Sequence, residues 1–525
     1  MRRTSARISV ALLLLPVAAA AGRSVPLAEA VKHRDMETVR ALLQQHVDVN
    51  APEPDGSTAL FWAAHQGNGA AVDLLLLAGA NAAAGNHYGA TPLALAVANG
   101  NAAVVESLLK GGADPKAAWP GGETVLMTAA RTGHVDAVRL LLAHGADVNA
   151  REEMRGQTAL MWAAAEGHPD VIRALVVAGA DMRVASHGPS APKASAAEDG
   201  SPGGSRTRRR PVPRLDAFTP LQFAVHAGRI EAARTLIGAG ASLSDETPQG
   251  MGLVTLAIAN AHYELAARLA EEGADVNQSK AGFTPLHQLV RVRTLNIGQF
   301  FSPLPSGRMT ASELAEVLID YGADVEARTT KGFPDGHRGA FGLGATPFLM
   351  AAKGGDVPMM QVLADRGADV RAVNVNGTSA IMAAAGVEMF NPNEDSGTDA
   401  DGFAALRLAV ALGAGDINSA NNAGNTPLHG AVFRATIDGV KFLVEHDALL
   451  DLKNKPNKCE AYSAGCIVSK EGYTPHELAL GGLGMLGSYR PEAAAYLREA
   501  MIARGLTPPE PKDNNAKYSF GVLVK

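Results

Sequence analysis

The run Gly482-Leu483-Gly484-Met485-Leu486-Gly487 has the glycine spacing that cradles a dinucleotide pyrophosphate. That chemistry needs a strand before the glycines and a helix opening at them. Residues Thr474 to Leu480, just before the run, read as a helix, so the glycines read as a lengthened loop. His476-Glu477 opens like a zinc-protease helix, which needs a second histidine where Leu480 stands. Asn391, Asn393, Asp395, Asp399 and Asp401 supply the oxygen ligands that calcium takes. With Asp401-Gly402 in the central slot of an EF-hand loop, however, the twelfth position is Leu408 instead of glutamate. Cys459 and Cys466 have no histidine between them and no second pair, which disfavours zinc. No Ser/His/Asp or Cys/His set and no nucleophile elbow can be assembled. The chain therefore reads as non-enzymatic, with no cofactor and no metal.

What recurs instead is a fragment without chemistry of its own. Gly145-Ala146-Asp147-Val148-Asn149 is followed by Gly179-Ala180-Asp181, Gly273-Ala274-Asp275-Val276-Asn277, Gly322-Ala323-Asp324-Val325 and Gly367-Ala368-Asp369-Val370. Weaker copies are Gly79-Ala80-Asn81 and Gly112-Ala113-Asp114. Most copies follow a second box, fullest as Thr284-Pro285-Leu286-His287 and Thr426-Pro427-Leu428-His429. Each unit reads as turn, helix, tight loop, helix, turn. The box threonine caps a free backbone N–H, and proline suits the first helical turn because its missing N–H costs nothing there. Glycines such as Gly133 and Gly167 permit the left-handed turn that ends the first helix. The apolar pair before Gly-Ala-Asp buries the second helix.

Two boxes at a period of about 33 residues resemble the ankyrin repeat. The resemblance runs from about residue 25 to 505 and implies an all-α ankyrin-repeat solenoid, with binding as its role. Twelve units start near Val25, Gly56, Gly89, Gly122, Gly156, Phe218, Gly252, Gly282, Gly344, Gly377, Gly424 and Gly472. The first and last look like capping repeats. Units 22–186 and 217–505 form two arrays, separated by 187–216, a Ser/Pro/Gly/Ala-rich stretch expected to be a disordered linker. It carries Arg206, Arg208, Arg209 and Arg210. Insertions at 294–311, 328–343, 387–402 and 453–471 interrupt the second array, and residues 506–525 form a tail. In the family, His134, His168 and His262 fall where histidine commonly follows the inter-helix turn, and His287 and His429 belong to the box. All five are structural by this reading.

The resemblance also places a concave binding surface at the turn tips and the exposed end of each first helix. In the first array these positions hold Trp62, His65, Gln66, His87, Tyr88, Glu123, Arg131, Arg155, Gln157, Trp162 and Glu166. In the second they hold Phe218, His226, Arg291, Lys353, Phe433 and Arg434. Trp, Tyr and Arg are favoured interface anchors. For each tryptophan, packing between repeats is the alternative.

Bulk properties agree. Lys and Arg number 47 against 53 Asp and Glu, which gives none of the basic excess of a nucleic-acid binder. Arg2, Arg3 and Arg7, the apolar stretch Ile8 to Val17 and Ala19-Ala20-Ala21 form a signal-peptide pattern over 1–21, so the chain is expected to be exported, to the periplasm or beyond. In an exported chain Cys459 and Cys466 are expected to close a disulfide. No later stretch is long and apolar enough for a membrane helix. The expectation is a monomeric protein-interaction scaffold that binds a protein partner. The rival is a small-ligand or metal receptor, or an enzyme, built on the insertions of repeats 8–11, where Phe300, Phe301, Phe333, Arg338 and Phe341 could line a pocket.

Overall fold

The computed structural model describes residues 25–187, 217–294, 296–297, 300–301, 304–331, 343–388, 398–456, 472–480, 490–509, 518–519 and 522–523. The expected leader, residues 188–216 of the linker, both cysteines and the glycine run at 482–487 lie outside the described residues. So do Asn391, Asn393, Asp395, Phe333, Arg338 and Phe341. The chain divides into two compact units on either side of residue 198.

Five helix pairs make the first unit: α1 (Pro26–Lys32) with α2 (Met36–Gln44), α3 (Ala59–His65) with α4 (Gly69–Leu77), α5 (Pro92–Ala98) with α6 (Ala102–Lys110), α7 (Val125–Thr132) with α8 (Val135–Ala143), and α9 (Ala159–Glu166) with α10 (Pro169–Val177). Helices this short are marginal in water, and their stability comes from stacking on the neighbouring pair. Each starts where its sequence says. Thr58, Thr91, Thr124 and Thr158 accept the backbone N–H of Phe61, Ala94, Met127 and Met161. The second helices bury Val72 and Leu75, Val105 and Leu108, Val138 and Leu141, and Ile172 and Leu175, so burial falls on residues three apart, while Leu77 and Val177 nearer the glycine are exposed.

The second unit continues with α11 (Pro220–His226) and α12 (Ile230–Gly238), α13 (Leu253–Ala259) and α14 (Tyr263–Glu271), α15 (Pro285–Thr294) and α16 (Ala311–Asp320), and α17 (Pro347–Lys353) and α18 (Val357–Asp365). It ends with α19 (Ala380–Ala385) and α20 (Asp399–Ala411), α21 (Pro427–Arg434) and α22 (Ile437–Glu445), and α23 (Pro475–Ala479) and α24 (Pro491–Ala503). The insertion between α15 and α16 contains a hairpin of β1 (Asn296–Ile297) against β2 (Phe300–Phe301). A second two-residue hairpin pairs β3 (Tyr518–Ser519) with β4 (Val522–Leu523). Each helix pair follows one of the twelve unit starts, so the fold is an all-α repeat solenoid.

Three devices join one repeat to the next. The asparagine of Gly-Ala-Asp-Val-Asn reaches forward: Asn149 donates to Gly179 O at 3.1 Å and accepts from Asp181 N at 2.8 Å. Asn277 does the same with Gly322 O at 2.8 Å and Asp324 N at 2.7 Å. Successive turn tips also pair by backbone, as in His87 N to Asp55 O at 2.9 Å and Glu153 N to Gly121 O at 2.9 Å. Finally, the histidine after the inter-helix turn reaches back. His168 Nε2 donates to Arg131 O at 3.1 Å, and His262 Nε2 to His226 O at 3.1 Å.

Gly133 shows why that histidine and the helix-ending glycine go together. Its φ is +81°, and a Cβ there would stand 2.7 Å from Cε1 of His168. Gly133→Ala should therefore destabilise the first unit by about 1–3 kcal/mol, through left-handed strain and displacement of His168. Urea unfolding followed by the tryptophans reads this directly. A midpoint unchanged from wild type would contradict it.

Candidate functional site

On the first-helix face of the first unit, two tryptophans sit in matching surroundings. Trp62, half-buried, donates from Nε1 to Glu53 Oε2 at 2.6 Å. Lys32 Nζ lies 4.7 Å from its ring centre and also bonds Glu53 at 2.6 Å and Glu29 at 3.0 Å. Burial pulls the Lys32 ammonium down, but its bonds to Glu53 and Glu29 outweigh this and hold it above its ordinary value. The rings of Phe61 and His65 stand edge-on to the indole at 5.6 and 5.8 Å. At Trp162 the cation is Arg131, 5.9 Å from the ring centre. Arg131 pairs with Glu123 at 3.4 Å, and Glu123 also accepts from Thr128 Oγ1 at 3.1 Å. Trp162 Nε1 is buried with no hydrogen-bond partner among the described residues.

The matching follows from the period. Lys32 stands seven residues after Val25 and Arg131 seven after Thr124, both at the end of a first helix. Trp62 and Trp162 stand four residues after the next threonine, Thr58 or Thr158. Stacking therefore lays the cation of one repeat over the indole of the next, a contact worth about 0.5–1 kcal/mol where exposed. Trp119 and Trp62 both pack against Phe61, Ala90 and Leu95.

The other expected residues of this face divide by exposure. His65, His87, Tyr88, Arg155 and Glu166 are exposed, Tyr88 to 72%. Gln66 donates to Lys32 O at 2.8 Å, and its Oε1 is buried without a hydrogen-bond partner among the described residues. Gln157 is buried, and its backbone N–H closes the turn on the Glu152 carboxylate at 2.9 Å. The structure thus brings together Trp62, His65 and Gln66 in one cluster and Glu123, Arg131 and Trp162 in another.

In the second unit several expected surface groups point into the fold instead. Phe218, Lys353 and Arg434 are buried. Arg434 donates to the carbonyls of Ala384 and Thr398, each at 3.4 Å, with Asp399 at 3.9 Å. Lys353 donates to Glu388 O at 2.8 Å. Burial alone pulls the Arg291 guanidinium down to about 10. Lys353 and Arg434 thus end on backbone carbonyls at or beside the 387–402 insertion, which repeat spacing could not show. Asp401, one of the calcium candidates, accepts from Thr398 N and Oγ1 at 2.7 and 2.8 Å and so caps α20. No cluster of metal-ligating groups occurs among the described residues.

Two strong contacts carried no sequence signal. Arg293, at the end of α15, forks onto Asp356: Nη2 donates to Oδ1 at 2.9 Å, and Nε donates to Oδ2. The Asp356 side chain is 4% exposed and also caps α18 by accepting Met359 N at 3.3 Å. Glu264 accepts the backbone N–H of Arg308 at 2.5 Å and of Met309 at 2.9 Å, fastening the first insertion to α14. The Asn149 and Asn277 bonds were visible only as an asparagine two places after each aspartate.

Comparison with known proteins matches this architecture. Residues 27–118 and 112–186, spanning α1 to α10, match the family model described as ankyrin repeats in three copies, and residues 343–375 match the single ankyrin repeat. The chain is an ankyrin-repeat protein. It is also similar to protein fem-1 homolog A of Bos taurus, 33% identical over 97 residues, which cover 18% of this chain and 12% of that one. In this ankyrin-repeat protein the family boxes account for the helix caps and turns. Protein–protein interaction is the general role of such repeats. No helix among the described residues is long and apolar enough to cross a membrane.

Proposed function

We propose that this protein is a non-enzymatic scaffold that binds a protein partner through the first-helix face of its first unit. The observation that supports this is the pair of cation-covered tryptophans on one face, flanked by exposed His65, Tyr88 and Arg155. Ion pairs and stacking hold both indoles in place before a partner arrives, which lowers the ordering cost of association. Aromatic and arginine anchors of this kind carry a large share of interface energy. The leader-like residues 1–21 support an exported location, and the partner then belongs to the same compartment.

The test is affinity capture from an extract of that compartment, with bound proteins quantified by mass spectrometry. The triple variant His65→Ala, Tyr88→Ala, Arg155→Ala removes exposed groups and should leave the fold intact. Its affinity should fall at least about tenfold, or 1.4 kcal/mol. Arg139→Ala, on α8 away from this face, should bind as wild type. Equal loss in both variants, or in neither, would count against the assignment.

A further inference from the structure

His262, at the start of α14, is engaged on both ring nitrogens. Its Nε2 lies 3.1 Å from His226 O, and its Nδ1 lies 2.9 Å from Oγ of Ser306, which stands 44 residues further along the chain. A carbonyl oxygen can only accept, so Nε2 carries the proton. Burial is the largest cause acting on this ring and outweighs the bond to His226. With the Arg229 cation it holds His262 below its ordinary value, so the ring is neutral at pH 7. Nδ1 is then a bare lone pair, and the Ser306 hydroxyl donates to it. A serine whose proton already rests against a neutral imidazole is an activated nucleophile.

The first insertion is built to hold that serine in place. Ser306 N donates to Ala261 O at 3.1 Å, and the Glu264 carboxylate accepts the N–H groups of Arg308 and Met309. Only glycine fits between them at position 307, where a Cβ would run into that carboxylate. Ala261 has a φ of +56° at the turn where Gly133 and Gly167 stand in other repeats. Such strain persists where the surroundings over-determine it. Ser306 itself is exposed, so an electrophile can reach it. His168 makes the same bond from Nε2 to Arg131 O, but no hydroxyl meets its Nδ1 among the described residues.

We propose that Ser306 is a covalent modification site that takes the acyl group of an activated carboxylic ester, with His262 as its base. Ser306 Oγ attacks the ester carbonyl carbon while its proton passes to His262 Nδ1. The Oγ–C bond forms, the bond from that carbon to the leaving oxygen breaks, and the proton moves from Nδ1 to the leaving group. The ring ends neutral, as it began, and Nε2 keeps its bond to His226 O throughout. That carbonyl orients the base, the part a third group plays in a nucleophile–base set. The step adds one acyl group to each chain, so it modifies the scaffold and is not a turnover. It involves residues of the second unit alone and does not rest on the partner-binding reading of the first.

Incubation of the full chain with p-nitrophenyl acetate at neutral pH, followed by peptide mapping in a mass spectrometer, tests this. Ser306 should gain an acetyl group at least about tenfold faster than Ser242 and Ser244, which are exposed but bond each other at 2.8 Å instead of a base. Ser306→Ala should lose the label from that peptide. His262→Gln should slow the labelling of Ser306 at least about tenfold, as loss of a general base does. Labelling of Ser306 no faster than of Ser242 and Ser244 overturns the proposal, and that comparison needs only the wild-type chain should His262→Gln fail to fold. So does undiminished labelling in a folded His262→Gln chain, or an equal label on the same peptide of Ser306→Ala.

Discussion

Replacing Arg293 with methionine should destabilise the second unit by about 3–5 kcal/mol, the usual cost of leaving one member of a buried ion pair behind. The Asp356 carboxylate is almost fully enclosed, and its bidentate partner is Arg293. Without the guanidinium, the carboxylate must stay charged in a poorly solvated place or take up a proton. The consequence reaches beyond one bond, because Arg293 ends the first helix of one repeat and Asp356 caps the second helix of the next. A second substitution separates pair loss from cap loss. Asn68 and Asn101 cap α4 and α6 at the position Asp356 holds in α18. Arg293→Met with Asp356→Asn should therefore recover most of the loss, since the cap is kept and the stranded charge is gone. Chemical denaturation of the three variants measures this. A single variant as stable as wild type, or a double variant no better than the single, would contradict the assignment.

The second large effect is a dependence on pH. His287 and His429 are buried, and each ring has both nitrogens committed. Nδ1 accepts the backbone N–H of Thr284 or Thr426 at 3.2 Å, and Nε2 donates to Ala345 O at 3.0 Å or Tyr473 O at 2.8 Å. A second proton would have to sit on the nitrogen that accepts from the chain. Burial is the larger cause, and both rings are pushed down to about 4. The unfolded chain takes up these protons from about pH 6.5 downward, while the folded chain does so only near 4. Their contribution is thus fully present above about pH 6.5 and is lost as pH falls toward 4, by about 3 kcal/mol for each ring. Glutamine is a suitable control. Gln222 holds the same position in α11 and accepts Thr219 N at 2.9 Å. His287→Gln with His429→Gln should flatten the stability profile between pH 6.5 and 4. An unchanged slope would show that the rings are not the groups that titrate.

Much of this fold could be read from the chain because most of its twelve repeats make the same local choices, with Val25 and Gly252 as uncapped exceptions. Threonine capped where the box placed it, and Gly133 and Gly167 took left-handed conformations with φ of +81° and +85°. The twelve starting positions each precede a helix pair. The candidate site was less legible. Trp62 and Trp162 could be assigned to one face by spacing, but the ion pairs that hold them depend on side-chain lengths crossing a repeat boundary. Lys353 and Arg434 failed for the complementary reason. Their positions fit the surface pattern, yet the insertions beside them expose carbonyls that draw long cationic side chains inward. Repeat spacing predicts the direction of a Cβ and leaves open where the two or three methylenes beyond it, and the charge they carry, will end.

The central claim is that the first-helix face of the first unit is where a partner docks, and site-specific photo-crosslinking tests it most directly. A photoreactive residue placed at His65 or at Tyr88 should capture the same partner, and excess unmodified protein should compete it away. The same residue at Val177, which is 89% exposed at the end of α10, should capture little. Equal capture from Val177, or none from His65 and Tyr88 while the unmodified chain still binds its partner, would place the interface elsewhere.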